Sequence, residues 1–264
     1  MPSLDVLSRD GATDILRRLC TGEARFKELN DAVTNTRTLT RRLNELGAEG
    51  LIQKVRDRYM ITSEGFDTAL KVVEFEGKPG YKWVNQEDFA KIRYGWIRIS
   101  LMRLTELFHK EFRDELVSIV LYGSAVRDSF RLGKSDIDLF YIVQDDSRNV
   151  WQREETVFKG FRSTWEYKAC DHWLRAQGFY GFPEATTASL QKSYARKFQP
   201  MYLDMLSHRA VLYDAEGFFQ DLMMKLEEAL KALGTVRVER PDGTYIWFLK
   251  PDIAPGELIE ISLG

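Results

Sequence analysis

Apolar positions in the first quarter of the chain recur at helical spacing. Ile15, Leu16 and Leu19 share one side of a helix that Asp10 or Thr13 caps and Gly22 stops. Phe26 and Leu29 mark a second short helix within residues 24–32, and a third is predicted from Thr36 to Glu45, ending at Gly47. On the third, Leu39, Leu43 and Leu46 fall together, with Arg37, Arg41 and Asn44 on the opposite side. The pattern then shortens. Residues 50–55 and 59–62 read as two short strands around the charged turn Arg56-Asp57-Arg58, and Thr62-Ser63-Glu64-Gly65 restarts a helix with Phe66, Ala69, Leu70 and Val73 inward.

Gly77-Lys78-Pro79-Gly80 interrupts the pattern as a linker. From Asn85-Gln86-Glu87-Asp88 a long helix is predicted to about Phe112. Its broad stripe (Ile92, Trp96, Ile99, Leu104 and Phe108 among others) calls for cover on two sides, from both domains or from a second copy of the chain. Leu116 to Tyr122 is a short β-rich apolar run that ends at Gly123-Ser124, and Asp136 to Val143 is a second. Residues 150–176 read as one long helix. A third strand is expected within 179–190, with Glu184 its only acid. Met201, Met205 and Leu212 recur with helical period, which makes Asp204 a helix-surface residue, and a hairpin of 235–238 and 245–249 closes the chain.

At 264 residues the chain has room for two domains, and 44% hydrophobic with 30% charged residues is enough apolar material to bury a core. A net charge of −2 excludes a uniformly basic nucleic-acid coat and leaves only local patches to consider. One such patch lies between Arg37 and Arg58, where Arg37, Arg41, Arg42, Lys54, Arg56 and Arg58 outnumber Glu45, Glu49 and Asp57. Cys20 and Cys170 stand too far apart in sequence for a disulfide framework or a cysteine-ligated zinc site to be expected. His109, His172 and His208 lie apart from other ligand types and read as packing or surface residues. With no long apolar run and no apolar signal core, a cytoplasmic protein with no membrane contact is expected.

The chemistry concentrates in residues 116–143. Residues i and i+2 of a strand share a face, so Asp136 and Asp138 project together, roughly 7 Å apart, and can share divalent cations. Mg²⁺ takes one or two carboxylates plus substrate phosphate oxygens. Gly123 admits a phosphate close to the backbone, and the Ser124 hydroxyl adds a donor. If Ala125 to Phe130 opens a helix, its N-terminus adds positive potential, and Arg127 and Arg131, four apart, reach a triphosphate tail.

Gly123-Ser124, eleven residues and then Asp136-Ile137-Asp138, in the context LYGS…SDIDL, resembles the DNA polymerase β-like nucleotidyltransferase superfamily, in particular its minimal and kanamycin-nucleotidyltransferase-like members. The resemblance implies transfer of a nucleoside monophosphate from an NTP, ATP first, to a hydroxyl acceptor with Mg²⁺ or Mn²⁺. Asp136 and Asp138 would hold the metal, and Gly123, Ser124, Arg127 and Arg131 the nucleotide. It also implies a third carboxylate on a later strand, taken as Glu184, with Asp204 or no residue at all as the alternatives. Acceptors in such relatives are antibiotics, nucleic-acid ends or protein tyrosines; a protein or nucleic acid is expected here.

The order RFKELNDAV, TRTLTRRLNELGAEGLIQK, YMITSEG, covering about residues 10–75, is similar to MarR/HxlR-type winged helix-turn-helix regulators. That implies duplex DNA as a partner through Arg37, Arg41, Asn44, Arg56 and Arg58, with protein interaction as the alternative use of such a module, and it admits a homodimer. The architecture expected is α+β: a winged helix-turn-helix domain over 1–76, a linker and long connecting helix over 77–113, and a nucleotidyltransferase-like mixed sheet with flanking helices over 114–264. The rival to an enzyme is a transcriptional regulator whose second domain senses a nucleotide or dimerises without turnover.

Overall fold

The structure is a computed structural model that describes residues 4–77, 86–127, 129–241, 245–254 and 256–264. Its first elements are α1 (Leu4–Leu7), α2 (Ala12–Cys20), β1 (Ala24–Arg25), α3 (Thr36–Ala48), β2 (Ile52–Val55), β3 (Arg58–Ile61) and α4 (Ser63–Gly77). The Asn35 side chain starts α3 by accepting the Thr38 N–H at 3.0 Å. Leu39, Leu43 and Leu46 are buried, and Arg37, Arg41 and Asn44 are exposed on the far side. Over 24–32 the structure corrects the expected helix: the chain makes the two-residue β1 and a 3-10 turn at Phe26–Leu29. β1 pairs antiparallel with β3, giving a three-stranded wing in the order β1-β3-β2. The edge of β3 supplies hydrogen bonds that an isolated short helix cannot match.

α4 enters beneath the wing at Gly65, where there is no room for a side chain. A Cβ there would lie 2.8 Å from the carbonyl carbon of Leu51 and closer still to its oxygen. Backbone yields less readily than a side chain, so Gly65→Ala should destabilise by about 1–3 kcal/mol, the usual range for overpacking. A denaturation midpoint equal to that of the unsubstituted protein would show that the wing shifts without cost.

The remaining elements are α5 (Gln86–Ala90), α6 (Gly95–Phe112), β4 (Leu116–Tyr122), β5 (Ile137–Val143), α7 (Val150–Ser163), α8 (Trp165–Ala176), β6 (Ala185–Gln191), α9 (Lys192–Ala195), α10 (Met201–Ser207), β7 (Ala210–Asp214), α11 (Phe218–Ala232), β8 (Val236–Glu239) and β9 (Tyr245–Phe248). Three helical stretches are broken where continuity was expected, each by a tertiary or capping interaction. The helix to Phe112 is split between α5 and α6: Asp88 accepts the Val211 N–H of β7 at 2.6 Å, and Arg98 donates to the Ile92 carbonyl at 2.8 Å. The 150–176 helix breaks at Thr164, which is extended and caps α8 by accepting the Tyr167 N–H at 3.3 Å. After Ser207, Arg209 donates to the Met205 and Leu206 carbonyls at 2.9 Å, and Leu212 and Tyr213 join β7 rather than a helix.

The larger sheet has the order β6-β5-β4-β7, with β4 antiparallel to β5 and β7, and β5 parallel to β6. Alternation sends Leu139 and Tyr141 into one core cluster with Val157 and Phe161 of α7, and Phe140 and Ile142 into another with Tyr202 of α10 and Phe219 of α11. The broad stripe of α6 is covered within the chain. Phe66 of α4 stacks on Trp173 of α8 at 4.5 Å, Trp165 Nε1 donates to the Arg17 carbonyl of α2 at 2.9 Å, and Arg98 pairs with Glu74 at 3.3 Å. The DNA-reader-like module therefore packs directly on α6 and α8. Cys20 and Cys170 are free and buried. The predicted linker residues 78–80, Asn85, Asp128 and the hairpin turn 242–244 lie outside the described residues. Among the described residues no helix is long and apolar enough to cross a membrane.

Candidate functional site

β4 and β5 run antiparallel, and their last register pair is Tyr122 opposite Asp138. The Gly123-Ser124 turn leaves the sheet directly beside that carboxylate. Gly123 has φ +73°, and a Cβ on it would lie 3.0 Å from Asp138 Cγ and closer to Oδ2. Left-handed backbone and the absence of room together require glycine here. Gly123→Ala is expected to lose at least about 1–2 kcal/mol in urea unfolding from the backbone alone, and an unchanged midpoint would mean that the turn relaxes freely.

Gly123–Val126 forms a 3-10 turn, and Arg127 then returns to extended backbone, φ −99° and ψ 156°. This corrects the helix expected from Ala125: among the described residues the segment has no α-helical run, and Arg127 is extended, so Arg127 and Arg131 do not share a helix face. Arg127 donates from Nε to the Gly123 carbonyl at 3.3 Å. Arg131 is exposed on a turn closed by the Ser135 N–H to its carbonyl at 2.9 Å.

Asp136 is exposed just ahead of β5, and Asp138 is half-buried within it. Burial first, and then the charge of Asp136, raise the Asp138 carboxyl above the usual carboxylate range, with Arg127 pulling the other way. Among the described residues Arg127 acts on Asp138 only through its charge, without an ion pair, and no group of three His, Cys, Asp or Glu forms a ready-made metal cluster.

Of the residues expected to face DNA, Arg37, Arg41, Asn44 and Arg56 are exposed on α3 and the wing, the last at the wing tip with φ +56°. Arg58 lies 3.3 Å from Glu23 in an ion pair, and Arg25 holds the wing-tip acid Asp57 at 2.9 Å. Arg42, counted with the basic patch from sequence, is instead buried; it pairs with Glu45 at 2.7 Å and donates to the Asp10 carbonyl at 2.9 Å.

The model of the nucleotidyltransferase domain matches residues 101–176, and that of the HxlR-like helix-turn-helix matches residues 9–69. An uncharacterized HTH-type transcriptional regulator of Methanocaldococcus jannaschii is 37% identical over 84 residues, which make up 30% of this chain and 78% of the relative. The chain belongs to the HxlR-like helix-turn-helix family and carries a nucleotidyltransferase domain. No solved structure matches it significantly.

The nucleotidyltransferase match spans the Gly-Ser turn and both aspartates and ends before Glu184 and Asp204. Glu184 is exposed one residue ahead of β6, its carbonyl accepts the Ile137 N–H at 2.9 Å, and it lines a cavity against α7. The residue of β6 in register with Asp138 is Thr186. Asp204, from α10, lies on the other side of the sheet. Burial, then Asp138 and then Asp204, raise the Tyr122 hydroxyl above its ordinary value, so both acids neighbour that ring. Tyr245 of β9 donates its hydroxyl to Asp204.

Sequence reasoning missed three residues of this surface. Tyr122 is one. Arg237 lies 4.2 Å over the Tyr245 ring and donates to Ser207 at 2.9 Å, and Tyr245 itself comes from the terminal hairpin. The only local hint was Asp204 with His208 four positions on, at the end of α10. Burial and then Arg127 and Arg237 hold the His208 imidazole below its usual value, against Asp204.

Proposed function

We propose that this protein transfers a nucleoside monophosphate from a nucleoside triphosphate, ATP first, to a hydroxyl of a protein or nucleic-acid acceptor, and that the helix-turn-helix domain brings the activity to duplex DNA. The observation that carries it is the packing of Gly123 directly on the Asp138 carboxylate at the end of β4 and β5. A phosphate-admitting turn and a pair of acids are thereby held at the same end of the two central strands. In the reaction the acceptor oxygen bonds to the α-phosphorus and the bond from that phosphorus to pyrophosphate breaks.

Asp136 and Asp138 fit Mg²⁺ or Mn²⁺: both offer hard oxygens, and burial makes the charge of Asp138 costly, with no ion pair among the described residues to offset it. When bound, the cation offsets phosphate charge and stabilises the leaving pyrophosphate. Backbone N–H groups of the turn and the Ser124 hydroxyl hold the triphosphate, with Arg127 beside them and Arg131 on the solvent side. We assign the third acid to Asp204 rather than Glu184, because Asp204 shares the Tyr122 neighbourhood with Asp138. Tyr245 occupies one Asp204 oxygen, and the other accepts the proton of the attacking hydroxyl. On DNA, Arg37, Arg41, Asn44 and Arg56 face the duplex, one copy per half-site in a homodimer. A cytoplasmic location, where NTPs and DNA meet, agrees with this reading.

Thr186 beside Asp138, where an acid would complete the set on β6, favours a second reading: a regulator whose domain senses a nucleotide without turnover. The two separate in one experiment. The protein is incubated with α-labelled ATP, CTP, GTP or UTP, Mg²⁺ or Mn²⁺ and host lysate. Label in protein or nucleic acid that the Asp136→Asn, Asp138→Asn variant does not produce supports transfer. Metal-dependent nucleotide binding without label supports sensing, and no nucleotide binding overturns both.

A further inference from the structure

A cavity of about 390 Å³ opens between α7, the start of α8 and the segment leading into β6, a volume in the range of small-molecule sites. Much of its wall is aromatic. Phe161, Tyr167 and Phe182 pack on one another with ring centroids 5.3 to 5.6 Å apart, and Phe158 joins them. Trp151 stands at the rim, 69% exposed, a large ring left in water beside a ready apolar wall.

Three carboxylates, Glu154, Glu155 and Glu184, share that lining with a single cation, Arg162. Among the described residues none of the three is in an ion pair; the neighbouring Arg153 is committed to Glu111 and Glu115, at 3.6 and 2.7 Å. Glu154 is fixed in place by hydroxyls, accepting from Tyr141 at 2.6 Å and Thr187 at 2.8 Å, which orients its charge without neutralising it.

An anion would meet an excess of negative charge there, and a neutral apolar guest would strip water from carboxylates and give nothing back. A cation clothed in alkyl groups satisfies both halves of the wall, rings through their π faces and acids through charge. We propose that this cavity binds an organic cation carrying an alkylated ammonium group. It lies on the Tyr141 side of the sheet, opposite the Asp138 face, so it stands apart from the nucleotidyl-transfer reading. It also gives Glu184 a place in the chemistry of the molecule that the Asp136–Asp138 site does not.

Calorimetry on the full chain tests this with choline against its uncharged isostere 3,3-dimethylbutan-1-ol. Choline is expected to bind, with the isostere about tenfold weaker or more. Glu155→Gln with Glu184→Gln, and separately Trp151→Ala, should each weaken choline about tenfold. All three positions are exposed, and circular dichroism checks that the variants fold. Asp136→Asn with Asp138→Asn should leave choline binding unchanged. Equal affinity for choline and the isostere, no choline binding, or choline binding indifferent to the Glu155, Glu184 and Trp151 substitutions would overturn the proposal.

Discussion

Asp136→Asn combined with Asp138→Asn should cut metal-dependent nucleotide transfer by roughly a thousandfold or more while leaving the protein as stable as before, or more so. The kinetic estimate follows from the several kcal/mol that metal-held charge contributes to such transition states, at about 1.4 kcal/mol per tenfold. The stability half follows from linkage. The folded Asp138 carboxyl is raised, first by burial and then by Asp136, above an unfolded value of about 3.9. The folded state therefore binds more protons in that window, and stability falls as pH rises from the unfolded value through the folded one. At neutral pH the whole penalty is present, and asparagine removes it. Because Asp138 is only half-buried, solvent screens part of the gain. The variant should melt at or above the temperature of the unsubstituted protein at pH 7, with the difference shrinking toward pH 4. Undiminished Mg·ATP affinity in calorimetry would end the metal assignment; a variant less stable at every pH would make the pair structural.

Arg37, Arg41 and Arg56 replaced together by Ala should flatten the dependence of log K on log salt by about 2 to 3 units, at roughly 0.9 for each phosphate no longer neutralised. All three are exposed on α3 or the wing tip. Arg58→Ala should change the slope by less than one phosphate's worth, since its guanidinium already pairs with Glu23. Arg42→Ala should act on folding instead, because it would remove a buried group that ties α3 to the Asp10 carbonyl. Fluorescence anisotropy with a labelled promoter duplex over a salt series reads all three. A protein that binds no duplex in a salt-sensitive manner would make the module a protein-interaction domain.

Helix α3 with its two faces, the β2–β3 wing and the β4 and β5 strands were legible in the chain because each depends on short-range facts. A period of 3.6 or 2 assigns side chains to faces, and a glycine marks where a Cβ has no room. The closeness of Gly123-Ser124 to Asp138 follows from the same facts, once two apolar runs pair across a loop.

Long-range contacts decided the rest. Periodicity reports that a face is apolar but not which element covers it. Nothing local therefore foretold that Ala24–Arg25 would pair with β3, or that Asp88 would hold β7 and part α5 from α6. Arg42 looked like one more surface arginine until the fold turned it toward Glu45. Along the sequence Glu184, the only acid of the expected third strand, ranked ahead of Asp204 as the third acid. The crossover through α7 and α8 put Glu184 against an aromatic cavity, and α10 carried Asp204 within electrostatic reach of Tyr122, because the pleat of β5 sends alternate residues to opposite sides of the sheet and only packing chooses which side receives each later segment.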